Sequence, residues 1–135
     1  MQLDEIIKEL CPLLKEKGYT KSRRTWRKYV GDITLFFSIQ MSQYSQDEWF
    51  YYFGITINTI LSGKKAQSIS NCHLWERLDF TTNEHIWTAN ELFYLIERWE
   101  TLYGSVDKLH TKTIEGKLPA FAKSEVIKYL STWYR

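Results

Sequence analysis

The chain has 135 residues, 44% of them apolar and 25% charged, which predicts one globular domain spanning 1–135 with a core that needs no staples. No run approaches the roughly 18 apolar residues of a membrane span, so membrane insertion is excluded from the expectations. The net charge of +2 is split between two mildly basic ends and an acidic middle, which is not the concentrated positive field of a strong nucleic-acid binder.

In chain order, Leu3, Ile6, Ile7, Leu10, Leu13 and Leu14 recur at three- and four-residue steps and predict an amphipathic helix. Pro12 removes one backbone donor and predicts a kink or a second short helix. Gly18 suits the position just past the helix end. Lys21, Arg23, Arg24, Arg27 and Lys28 then place five cations in eight residues around Trp26. Trp26 to Val30 reads as a first strand, and Gly31-Asp32 as a tight turn.

The two segments that organise the chain follow. Ile33, Leu35, Phe37, Ile39 and Met41 share one side of a strand. Thr34, Ser38 and Gln40 share the other, with Phe36 as the apolar exception. Trp49, Tyr51, Phe53, Ile55 and Ile57 repeat the pattern in a predicted strand over 49–61, with Tyr52, Gly54, Thr56 and Asn58 opposite. Gly54 suggests a bulge or a close backbone approach. Residues 72–78 are ambiguous between a helical turn and a fourth, edge strand, and the strand is preferred. Thr88 with Glu91 forms a capping-box pattern ahead of Leu92, Leu95, Ile96, Trp99 and Leu102. Gly104 ends that helix. Ser105 to His110 predicts another turn or two, and Ser124 opens a last helix with Val126, Ile127, Leu130, Trp133 and Tyr134 on one face. The fold expected is α+β: an antiparallel meander of three to four strands, with one N-terminal and two to three C-terminal helices on one face.

Chemistry-bearing patterns are sparse. There is no GxGxxG, GxxxxGK[ST], HExxH or GxSxG. Cys11 and Cys72 form no CxxC and no Cys/His ligand spacing, so no metal, cofactor or catalytic residue is assigned, and an enzyme is the less favoured class. Two cysteines and a start without an apolar leader predict a reducing, cytoplasmic setting. Cys72-His73 as a nucleophile–base pair is disfavoured, because neighbours on a strand diverge. What remains is a binding surface: Gln40, Tyr52 and Asn58 on the polar strand faces, His73 and Arg77 four apart on the next segment, and Trp26 with Arg27 at the hairpin.

The expected partner is therefore another protein. A second copy of the chain is a further candidate, since aromatics make up 16% of the sequence and large rings are enriched at interfaces. The first alternative is nucleic acid bound by Lys21, Arg23, Arg24, Arg27 and Lys28, against which stands the plainer role of cations blunting an edge strand. The second is a small-ligand or enzyme site on the polar sheet face.

Five segments stand in a telling order: Leu13-Leu14-Lys15-Glu16-Lys17-Gly18-Tyr19, Thr25-Trp26-Arg27, Phe37-Ser38-Ile39-Gln40-Met41-Ser42, Phe53 to Thr59, and Cys72-His73-Leu74-Trp75-Glu76-Arg77. Together they resemble an uncharacterised bacterial family, domain of unknown function 4304 (DUF4304). The likeness runs over about residues 3–100. The family pattern has a Gly following the Asn of the third strand, where this chain continues Asn58-Thr59-Ile60. The resemblance implies an α+β fold, a bacterial source and no particular reaction. Small bacterial modules of the immunity or accessory type are the nearest functional analogy.

Overall fold

The computed structural model describes residues 2–43, 48–61, 73–78, 87–118 and 121–131. The N-terminal helix α1 spans Gln2–Glu16 as one element despite Pro12, whose ring lies on the exposed side. Gly18 closes it at φ +94°, with Tyr19 N–H donating back to the Leu14 carbonyl at 3.0 Å.

A six-stranded antiparallel sheet follows, its strands ordered as in the sequence: β1 (Thr20–Ser22), β2 (Thr25–Val30), β3 (Ile33–Met41), β4 (Trp49–Ile57), β5 (Leu74–Arg77) and β6 (Phe121–Ala122). The expectation of three to four strands missed β1 and β6, which are too short to show a period of two. Two-residue turns at Arg23-Arg24 and Gly31-Asp32 join β1 to β3, with Arg23 and Gly31 both at φ +58°. Two further expectations are corrected. The third predicted strand stops at Ile57, and Asn58–Leu61 turns into a 3-10 helix. That turn is anchored by the Asn58 N–H on the Asp32 carbonyl at 2.8 Å and the Thr59 N–H on the Asp32 carboxylate at 3.0 Å. Nor does Gly54 mark a bulge: it pairs in unbroken register with Phe36 on one side and Trp75 on the other. β5 forms as a strand but is not an edge, because β6 pairs beyond it.

Helices α2 (Ala89–Tyr103), α3 (Val106–Glu115) and α4 (Ser124–Ser131) complete the chain. Thr88 and Glu91 cap α2 reciprocally, with bonds of 3.0 and 3.2 Å. Ser105 caps α3 through Lys108 N–H, and Gly116 ends it at φ +70°. In α4, Val126 and Leu130 are buried while Ile127 is exposed, so Ile127 leaves the predicted stripe. Trp133 and Tyr134 lie outside the described residues.

The odd-numbered residues of β3 and β4 form the core face. Ile33, Leu35, Phe37, Ile39, Trp49, Tyr51, Phe53, Ile55 and Ile57 pack in one cluster with Leu3, Leu10 and Leu14 of α1, Leu92, Ile96 and Trp99 of α2, Leu109 of α3, and Val126 and Leu130 of α4. Phe37 is the hub of the rings, with centroids 5.6 Å from Trp26, 5.9 Å from Tyr51 and 5.4 Å from Phe53. The buried polar atoms of Trp49 and Tyr51 satisfy each other at 2.7 Å. All four helices thus lie on one face, and the even-numbered residues form the other.

Candidate functional site

The even phase of the sheet brings most of the sequence-predicted residues to one side. Register places Arg27 opposite Phe36, Ser38 opposite Tyr52, Gln40 opposite Phe50, and Tyr52 opposite Arg77. Asn58 continues the phase of Thr56, and its Oδ1 accepts from Thr34 Oγ1 at 2.8 Å. His73 and Arg77 share the phase of Trp75. Six of the seven protein-binding candidates therefore face away from the helices.

Trp26 does not join them. It faces the core at 1% exposure, against Phe37, so its ring is spent on packing. The signal was available: a two-residue turn at Gly31-Asp32 pairs Val30 with Ile33, which carries the core phase back along β2 to Lys28 and Trp26.

This outer face is not the wet surface its hydroxyls suggested. Thr34, Phe36, Ser38, Thr56 and His73 are each 4% exposed or less. Thr25 and Ser38 share a hydroxyl hydrogen bond of 3.0 Å. Phe36 sits in a small second apolar cluster with Tyr52 and Trp75, under the Arg27 guanidinium 5.8 Å from its ring centre. Gly54, between Phe36 and Trp75 in the register, contributes no side chain of its own to that row. His73 Nδ1 accepts the Ile57 N–H at 3.1 Å, which assigns the ring proton to Nε2. Four strand positions, about 13 Å, separate His73 from Arg77, so the two do not form a single anion clamp. Cys72 lies outside the described residues.

Apart from Thr20, Ser22 and Tyr29 along the β1–β2 edge, the accessible side chains of this face among the described residues include a group at its Gln40–Arg77 end. Gln40 and Arg77 are exposed, and Phe50, Tyr52 and Trp75 are half-buried. The Arg77 guanidinium stands 5.0 Å over the Phe50 ring, and Tyr52 meets Trp75 at 5.9 Å between centroids. Phe50 and Trp75 were not among the predicted site residues. Their signal was the two-residue step: Phe50 shares the phase of Tyr52, and Trp75 that of Arg77.

The basic segment is dispersed. Lys28 pairs with Glu100 of α2 at 3.0 Å, and Lys21 stands over the core-side ring of Trp26 at 5.6 Å. Arg23 and Arg24 are exposed at the hairpin turn, and Arg27 lies on the outer face. Glu100 also accepts from the Tyr19 hydroxyl at 3.1 Å. Burial, then the Glu100 charge and this bond, hold the Tyr19 phenol far above its ordinary range. Burial likewise raises the Glu76 carboxyl, on the core side of β5. Among the described residues no group of three His, Cys, Asp or Glu side chains lies close enough to hold a metal ion, and no helix is long and apolar enough to cross a membrane.

A family model described as "Domain of unknown function (DUF4304)" matches residues 10–122. Neither a curated protein nor a solved structure matches the chain.

Proposed function

We propose that this chain, which belongs to the DUF4304 family, is a non-enzymatic module that binds another protein through the open end of its outer sheet face. The observation that carries the reading is the grouping of Gln40, Phe50, Tyr52, Trp75 and Arg77 there, with the Arg77 guanidinium stacked on a ring and still exposed. Tyr, Trp and Arg dominate binding energy at protein interfaces, because each offers a large rigid contact with a polar tip. Arg77 and Arg27 give the strip a positive character, so the partner surface it fits carries carboxylates. The dry centre of the same face holds those rings in place. A bacterial source, implied by the family resemblance, and a cytoplasmic setting belong to this reading, the latter supported by the low cysteine content and the free thiol of Cys11. Nucleic acid is the weaker alternative, since the five cations of 21–28 do not share one surface.

The test is quantitative co-purification from the native host with wild type, Arg77→Glu, Tyr52→Ala and, as a control, Lys117→Glu. A specific protein whose recovery falls at least about tenfold with the first two variants and holds with the third supports the reading. Equal recovery of every co-purifying protein with all four rejects it.

A further inference from the structure

A second site lies on the other side of the sheet, at its β1 edge. Cys11 and Lys15 of α1, Tyr19, Thr20 and Lys21 of β1, and Trp26 of β2 line a cleft of about 300 Å³. We propose that this cleft binds a small organic anion with an apolar body, such as a medium-chain or aromatic carboxylate.

The chemistry of the lining carries the inference. Trp26, Tyr19 and Cys11 supply apolar wall, and Trp26 and Tyr19 are almost fully buried, so the rings are fixed. The Tyr19 hydroxyl is committed to Glu100, so Tyr19 contributes the edge of a buried ring rather than a polar group to the lining. The two charged groups of the lining are both lysines, both exposed. Neither is in an ion pair among the described residues, whereas Lys17, Lys28 and Lys112 each have a carboxylate partner. Three other clefts among the described residues each contain at least one carboxylate: Glu97 and Glu100, Asp107, or Glu76. This one contains none, so its field favours an anion. Two ammonium groups beside an apolar wall select a ligand that is charged at one end and greasy at the other. A cleft of about 300 Å³ sets the ligand's scale at a medium-chain or single-ring acid. Octanoate is of that size. The inference is independent of the outer-face reading, because Lys21 and Trp26 lie on the core side of the sheet.

The experiment titrates the full chain with octanoate and, separately, with octan-1-ol, followed by 1H–15N NMR. Octanoate is expected to shift the Trp26 indole N–H and the Thr20 and Lys21 amides. Lys15→Gln and Lys21→Gln are each expected to weaken it about threefold to fivefold, as loss of one exposed ion pair does. Lys117→Gln leaves it unchanged. An undisturbed remainder of the spectrum shows that each variant is folded. No shift at those positions, equal affinity for octan-1-ol, or wild-type affinity for octanoate in both lysine variants would overturn the assignment.

Discussion

The two faces of the sheet carry different chemistry and, along the centres of β3 and β4, reach nearly the same dryness. On the core face, Leu35, Phe37 and Ile55 are sealed by aliphatic and aromatic neighbours from four helices. On the outer face, Thr34, Phe36, Ser38 and Thr56 are buried almost as deeply, yet what surrounds them is hydroxyls, an amide and a guanidinium. The difference teaches that alternation in β3 and β4 reports the direction of a side chain, not its contact with water. Polar residues in the even phase do not make a wet face. They make a second interior with hydrogen bonds to fill, flanked by accessible side chains at the Gln40–Arg77 end and by Thr20, Ser22 and Tyr29 along the β1–β2 edge.

The largest test of this comparison is a pair of neighbours. Phe37→Ala removes the hub of the core rings and is expected to cost about 3–5 kcal/mol in urea denaturation. Phe36→Ala empties the smaller outer cluster and is expected to cost about 2 kcal/mol. A loss under about 0.5 kcal/mol for Phe36→Ala, the size of a surface change, would reduce the outer face to ordinary exterior.

A sharper and smaller test uses two threonines that are cross-strand partners. Thr34 Oγ1 donates to Asn58, whereas Thr56 Oγ1 is buried without a hydrogen-bond partner among the described residues. Thr34→Val should lose about 1 kcal/mol, and Thr56→Val should be neutral or gain up to about 1 kcal/mol, because an unsatisfied hydroxyl is replaced by a methyl of similar size. Equal losses at both positions would mean that the outer interior does not distinguish bonded from unbonded hydroxyls.

The smallest effect appears only in alkali. The folded state holds the Tyr19 proton more tightly than the unfolded chain, whose phenol has its ordinary value of 10.0. This contribution is complete below pH 10 and is lost as pH rises beyond it. Urea denaturation at pH 9 and 11 should therefore show a steeper fall for wild type than for Tyr19→Phe. Parallel falls would show that the folded state does not hold the Tyr19 proton more tightly than the unfolded chain.

Much of the architecture was legible because local signals agreed with the global fold. The Thr88–Glu91 box, Gly18 and the Gly31-Asp32 turn each form where their residue chemistry places them. The rest depended on tertiary context. Three-residue β1 and two-residue β6 carry no periodicity. The end of β4 at Ile57 is set by Asp32, 25 positions earlier in the sequence, capturing the next turn. For the candidate site, phase placed Arg27, Gln40, Tyr52, Asn58, His73 and Arg77 together. It could not reveal that His73 would accept a backbone N–H, or that Arg77 would find Phe50. Those contacts come from β4 and β5 pairing across 16 or more residues of sequence.

The most direct test is thiol accessibility along adjacent positions. In a Cys11→Ser, Cys72→Ser background, single cysteines at Ile39, Gln40, Glu76 and Arg77 are alkylated with iodoacetamide under native conditions. Gln40→Cys and Arg77→Cys should react near the rate of an unfolded peptide, Glu76→Cys at an intermediate rate, and Ile39→Cys only through unfolding. Fast labelling at 39 with protection at 40 and 77 would reverse the two faces and contradict the account.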